Sequence, residues 1–264
     1  NIAKMFTAAF LPGVIALLGY LLTIHFIVRF KPEYGPRRVR VGFKDRLNLF
    51  KSIWKIALIF FMVVGGIYLG WFTPTEGAAV GVAGTATIAF FTRSFGFKEF
   101  KEVLEDTAVS TAMIFIILLG AEFFNAFIAL TQITNMLSFW IFEQEYSPYF
   151  ILIFILILYL FLGCLMDSLA MIMLTIPIFF PILIQLDFGM STEQTAIWFG
   201  ILTLVVVEIG LITPPIGLNI FIINKCADDI PILETFRGVL PFVFSDIFRV
   251  ALLVMFPMIT VFLI

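Results

Sequence analysis

Apolar residues run through this chain in stretches of membrane-crossing length, separated by short polar segments. They fall at about 6–29, 53–72, 75–92, 108–131, 148–186, 194–225 and 239–264. They read as helices, because a chain in lipid must satisfy its backbone polar groups internally. The fifth stretch is too long for one crossing and short for two with an ordinary loop. Its middle, Gly163-Cys-Leu-Met-Asp167-Ser168, holds helix-loosening and polar residues. Two half-depth arms meeting at that tip, a re-entrant hairpin over 146–186, fit best; one long tilted helix or two tight crossings is the alternative. The sixth stretch carries Glu208-Ile-Gly-Leu-Ile-Thr-Pro-Pro-Ile-Gly-Leu-Asn219. Two adjacent prolines remove two amide donors and the glycines loosen what remains, so a broken transmembrane helix is predicted over 193–226. Such a break is tolerated where it lines a polar cavity or is buried by protein, and secondary transporters build substrate and ion sites from it. A bare proline kink would not need two glycines, a threonine and an asparagine beside the prolines.

Two further helices are predicted outside the spans. Ile133, Met136, Leu137, Trp140 and Ile141 recur at i, i+3, i+4, i+7 and i+8, which predicts an interface-lying amphipathic helix within 132–145. Lys98 with Glu102, and Lys101 with Glu105, stand at i, i+4 in a solvated connector, 93–107.

Charge sets the topology. The segment Arg29 to Lys51 holds Arg29, Lys31, Arg37, Arg38, Arg40, Lys44, Arg46 and Lys51, half of the 16 Lys and Arg in the chain. The positive-inside rule places the basic loop 30–51 in the cytoplasm. The 93–107 connector is then cytoplasmic, the turn at Thr73–Glu76 external, and the hairpin opens outward. The final span, within 238–264, runs outward from Arg237. Trp71, Trp140 and Trp198 are expected at the outer interface and Trp54 at the inner one.

The polar residues inside these stretches are the candidates for function, since intramembrane acids are costly. Thr73-Pro-Thr-Glu76 has the spacing of a capping box with Pro at N1, a structural role for Glu76. Asp246 and Arg249 stand three apart on one helix face and can neutralise each other. Glu122, followed by Asn125, faces a subunit interface or a transport cavity. Asp167 admits two readings. It is either an oxygen ligand for a hard cation, extended here to Na⁺, or a cap for the second hairpin arm through the amides of Leu169 or Ala170. In the broken helix Thr213 is expected as N-cap and Pro214 as N1 of the second half. Its amides would face an anionic group, and the unwound carbonyls before it would face Na⁺. Gly210 and Gly217 permit close backbone approach, and Asn219 offers both donor and acceptor.

Composition narrows the classes. The chain has 264 residues, 62% hydrophobic and 13% charged, against about half apolar and a quarter charged in soluble domains. Thirty-four Phe and little polar alternation argue against an outer-membrane barrel, leaving an all-α polytopic membrane protein. The net charge of −2 offers nothing to nucleic acid. Cys164 and Cys226 lie far apart in apolar contexts, giving neither a disulfide framework nor metal-ligand spacing. His25 is the only histidine, read as packed or interfacial, so no Ser/His or Cys/His catalytic arrangement is expected. The expectation is a transporter subunit, not an enzyme, with a channel or structural membrane subunit as the alternative. The chain opens Asn1-Ile-Ala-Lys-Met-Phe without an initiator Met or signal peptide, and is expected to be part of a longer protein.

Several stretches carry a family resemblance. They are Gly70-Trp-Phe-Thr-Pro-Thr-Glu-Gly-Ala-Ala-Val-Gly81, Gly163-Cys-Leu-Met-Asp-Ser-Leu-Ala170, Leu174-Thr-Ile-Pro-Ile-Phe-Phe-Pro181, 208–219 and Arg237-Gly-Val-Leu-Pro-Phe242. In this order they resemble the large membrane subunit of tripartite ATP-independent periplasmic (TRAP) transporters, in its second part. The resemblance implies the second inverted repeat of an elevator-type transporter, with the first repeat preceding Asn1. It implies sodium-driven import of an organic acid across a bacterial or archaeal inner membrane, and no cofactor beyond Na⁺ as coupling ion. The expected partners are a soluble periplasmic substrate-binding protein, a small membrane subunit, the rest of the same subunit and the bilayer. By position the hairpin tip, Gly163, Cys164, Met166, Asp167 and Ser168, would face the broken helix, Glu208, Gly210, Thr213, Pro214, Pro215, Gly217 and Asn219. Sodium would sit near Gly163, Asp167, Gly210 and Thr213. Residues 1–72 would be scaffold helices, followed by the helices of 73–131.

Overall fold

The computed structural model describes residues 1–35, 42–92, 96–226 and 230–264, without the side chains of 43, 44 and 46–52. Residues 36–41 of the basic loop 30–51, most of its Lys and Arg side chains, and residues 93–95 of the 93–107 connector therefore lie outside the described residues. Among the described residues eleven α-helices follow one another: α1 Ile2–Phe30, α2 Phe43–Tyr68, α3 Pro74–Phe91, α4 Phe97–Thr131, α5 Ile133–Glu143, α6 Pro148–Gly163, α7 Ser168–Leu183, α8 Thr192–Leu211, α9 Leu218–Lys225, α10 Ile232–Met255 and α11 Met258–Val261. A 3₁₀ turn at Pro32–Tyr34 follows α1, and no strand occurs among the described residues. Four helices, α1, α4, α8 and α10, are long and apolar enough to cross a membrane. The apolar part of α2, Ile53–Tyr68, and the helices α6 and α7 are shorter. The 75–92 stretch, read as a span, forms α3, but its Gly, Ala and Thr residues leave it less apolar than those four. From Phe97 the 93–107 segment is helical and runs without a break into the 35-residue α4. Both its ion pairs form there on exposed side chains, Lys98–Glu102 at 3.8 Å and Lys101–Glu105 at 3.4 Å.

The chain divides into two units. One comprises Asn1–Thr7 and Val28–Met113. In it α2 turns into α3 through a Schellman motif, in which the Trp71 amide donates to Gly66 O (2.9 Å) and the Gly70 amide to Ile67 O (3.1 Å). Gly70 sits at φ +71°. The ring of Phe72 lies on Gly66, where a Cβ would be 2.1 Å from it. Thr73 and Glu76 form the expected capping box: the Glu76 amide donates to Thr73 Oγ1, and Thr73 N donates to Glu76 Oε2 at 2.7 Å.

The second unit comprises Ala8–Ile27 and Ile114–Ile264. Its centre is α8. Two-thirds of the apolar window of α8 is buried, against 6, 11 and 17% for α1, α4 and α10. So α8 is an interior helix, while the other three turn most of their apolar surface outward, which suits lipid and not water. Around α8 pack α6, α7, α10 and α11, with Leu152, Ile155, Tyr159, Met171, Trp198, Phe199, Leu202 and Leu253 in the core. Trp198, expected above at the outer interface, is instead fully buried within the protein. Its indole N–H donates to Leu253 O at 2.9 Å. That carbonyl would otherwise await an amide from residue 257, which is proline and has none. The same proline ends α10 at Met255, because it disfavours helix in the residue before it, and the short α11 follows. Trp54, Trp71 and Trp140 are exposed.

The amphipathic helix forms as α5 and rests on α7, but only part of its stripe is engaged. Leu137 and Ile141 pack on the core, whereas Met136 and Trp140 stay exposed. Across the helices, hydroxyls of Thr23, Thr85, Thr87, Thr131 and Thr175 donate to the carbonyl four residues earlier. This hides a polar group within the helix that carries it.

Candidate functional site

The helices α6 and α7 form a hairpin whose turn is only Cys164–Asp167, because α6 ends at Gly163 and α7 begins at Ser168. The arms are held together by hydroxyls of Tyr159 and Thr175, 2.9 Å apart. At the tip Asp167 takes extended backbone angles and caps α7: Oδ2 accepts from the amides of Leu169 (3.0 Å) and Ala170 (3.4 Å). The capping reading of Asp167 holds, and its Oδ1 is left for a further partner.

Beside this tip α8 stops at Leu211 and α9 starts at Leu218. The Pro214–Pro215 peptide is cis. The second half-helix does not begin where Thr213 and Pro214 suggested. Pro215 disfavours helical angles at Pro214, so the helix cannot start there. Thr213 instead turns its hydroxyl back to Ile209 O. The position before α9 belongs to Gly217, at φ +61°, with no side-chain cap. The first amides of α9 thus lack the carboxylate that α7 has in Asp167.

Backbone meets backbone between the two breaks. A Cβ on Gly210 would lie 2.7 Å from both Cα and C of Gly163 and 3.0 Å from Cys164 N. One on Gly163 would lie 3.1 Å from Val207 O and 3.2 Å from Gly210 Cα. Glycine at position 210, and less stringently at 163, allows α6 and α8 to approach this closely. The contact places two non-helical stretches side by side. Among the described residues, the carbonyls of Cys164, Leu165 and Met166, and those of Ile212 to Ile216, accept no backbone hydrogen bond. Free carbonyls and a carboxylate are the donor set that hard cations use.

An open cleft of about 500 Å³ adjoins the contact, lined by Asp167, Ser168, Glu208, Leu211, Leu218, Asn219, Phe221, Ile222 and Lys225. Four of the candidates, Asp167, Ser168, Glu208 and Asn219, share its wall. Glu208 is exposed between buried Val207 and Ile209, which turns it to the cleft. Gly163 and Gly210 form the contact behind it, Cys164 is buried, and Met166 packs on the core. Thr213, Pro214, Pro215 and Gly217 shape the break without lining the cleft. The sequence reading passed over Lys225. Its signal is the register of α9, where Leu218, Phe221, Ile222 and Lys225 stand at i, i+3, i+4 and i+7 on one face.

Other intramembrane polar groups lie apart. Asp246 and Arg249 pair as expected (3.0 Å), and Tyr20 of α1 adds a hydroxyl donating to Asp246 Oδ2 at 2.7 Å. Glu122 is exposed on α4, while Asn125 Oδ1 is buried without a partner among the described residues.

An all-helical chain with apolar spans, an interior helix broken at a double proline and a hairpin tip against the break defines a polytopic membrane protein of transporter type. Residues 1–259 match the family Tripartite ATP-independent periplasmic transporter, DctM component, and the chain belongs to it. Similar proteins include the C4-dicarboxylate TRAP transporter large permease protein DctM of Pseudomonas aeruginosa. It is 34% identical over 91% of this chain and 55% of its own length. The sialic acid TRAP transporter large permease protein SiaM of Vibrio cholerae is 28% identical, over all of this chain and 60% of its own. The sialic acid TRAP transporter permease protein SiaT of Haemophilus influenzae is 31% identical, over 99% of this chain and 41% of its own. The chain thus spans about half the length of these relatives.

Proposed function

We propose that this chain is the part of a TRAP transporter large subunit that carries one sodium site and one wall of the substrate site. The transporter imports an organic acid across the inner membrane by sodium symport. The observation that carries this reading is the Gly163–Gly210 contact, which sets two carbonyl-bearing breaks side by side next to a cleft. Sodium is taken by free carbonyls of 164–166 and 212–216 with a contribution from Asp167. The uncapped amides at the start of α9 favour a carboxylate. The cleft volume is within the range of small-molecule sites, about 300–1,000 Å³.

The hairpin is read as re-entrant from its length. Each arm has 16 residues, about 24 Å at 1.5 Å per residue, short of a hydrocarbon core of about 30 Å. An inverted repeat completed by the rest of a longer subunit, and elevator movement of the hairpin and broken helix against the scaffold helices, complete the reading. A periplasmic binding protein delivers the substrate and a small membrane subunit braces the scaffold. A relative named for C4-dicarboxylate and two named for sialic acid make a carboxylate the shared chemistry.

The test is uptake by the complete transporter, reconstituted with its binding protein. Accumulation of a radiolabelled organic acid should require an inward sodium gradient. Uptake that persists after the gradient is collapsed would remove the coupling and favour a channel.

A further inference from the structure

We infer that Lys225, in the wall of the cleft, is the counter-charge for the anionic substrate, a reading that rests on the transport function proposed above. The wall built by the hairpin tip and α8 brings two carboxylates, Asp167 and Glu208, to this space. An organic acid entering between them meets like charge, which disfavours binding. Sodium at the tip offsets one carboxylate. Lys225 is the one basic side chain among the described lining residues, and it offsets the other. Among the described lining residues the two cations then balance the two carboxylates before the substrate arrives, and without Lys225 one carboxylate is left uncompensated.

Position along α9 supports the assignment. From Leu218 to Lys225 is seven residues, about 10 Å of helix. The uncapped amides lie at one end of that distance and the ammonium at the other. An acid held by its carboxylate at the helix start therefore reaches Lys225 with its far end, through a second carboxylate or another acceptor. The flexible lysine stem allows ligands of different length.

The complete transporter with its binding protein is reconstituted and offered radiolabelled succinate, N-acetylneuraminate and ectoine under an inward sodium gradient. The compound that the wild type accumulates is then titrated with variants. Lys225→Gln should raise KM by about tenfold with Vmax per inserted molecule nearly unchanged. Lys225→Arg, which keeps the charge, should restore most of the loss. An unchanged KM in Lys225→Gln overturns the assignment, as does a loss confined to the amount inserted, which is what a topology-setting lysine would give. Failure of the wild type to accumulate any of the three with sodium is a different result: it removes the transport reading, and this assignment with it.

Discussion

Replacing Gly210 by alanine adds one methyl group at the point where the hairpin tip touches α8. That methyl would sit 2.7 Å from Gly163 Cα and C, and ordinary contact starts at 3.4 Å. The arm must retreat by about the difference, 0.7 Å, because the atoms in the way are backbone and have no rotamer to change. Overpacking of this kind costs about 1–3 kcal/mol, and alanine returns up to about 1 kcal/mol of helix propensity. Net destabilisation should be about 0–2 kcal/mol, so the protein still folds and inserts. The effect on ion binding is larger, because metal–ligand distances are held to about 0.2 Å. A 0.7 Å separation of the two carbonyl-bearing stretches should raise the sodium concentration for half-maximal uptake by about tenfold or more, the equivalent of about 1.4 kcal/mol. Gly163→Ala should do less, since its nearest obstacle is Val207 O at 3.1 Å. Gly13→Ala, inside α1 with nothing within 4 Å, should leave the sodium dependence unchanged. Sodium titration of uptake in proteoliposomes, with thermal unfolding of the same samples, checks the series. Wild-type sodium dependence in Gly210→Ala, or greater damage from Gly163→Ala, refutes the argument; Gly210→Val should abolish uptake while still inserting.

Asp167→Asn keeps a good N-cap but removes the charge. It should lower apparent sodium affinity without lowering the unfolding temperature, whereas Asp167→Ala should lower both, the cap being worth about 1 kcal/mol. Trp198→Phe keeps the ring but leaves Leu253 O without a donor, at a cost of about 1–3 kcal/mol. In a Pro257→Ala background, where residue 257 regains its amide, the same change should cost less. Asp246→Ala leaves the largely covered Arg249 without its carboxylate and should cost up to about 3–5 kcal/mol. Tyr20→Phe removes one hydrogen bond to a carboxylate, about 1.5–3 kcal/mol; both are read by thermal unfolding in detergent.

The all-helical class, the break in the sixth apolar stretch and the capping box at Thr73–Glu76 were legible along the chain, because each rests on local chemistry. A proline lacks its amide wherever it stands, and a Thr-x-x-Glu turn closes on itself. Reading failed where two local rules competed. Thr213-Pro214 has the form of a helix start, yet Pro215 one residue later forbids it, and α9 waits for Gly217. It failed again where burial decides. Trp198 has the composition of a belt residue, but the carbonyl freed by Pro257 lies 55 residues away and draws it inward. Three of the five stripe residues on α5, Ile133, Met136 and Trp140, stay bare for the same reason, since periodicity names a face and not what covers it.

By itself the sequence determined that the helix breaks within 208–219, where two adjacent prolines supply no amides, and it marked 163–168 as a second place for a break, with one long helix left as the alternative. Only the tertiary structure decided that the breaks touch. Two glycines without Cβ atoms let α6 and α8 approach to backbone contact, and this brings Asp167, Ser168, Glu208, Asn219 and Lys225 around one cleft. No pattern along the chain encodes that proximity, because it depends on how two helices pack across 46 intervening positions (164 to 209).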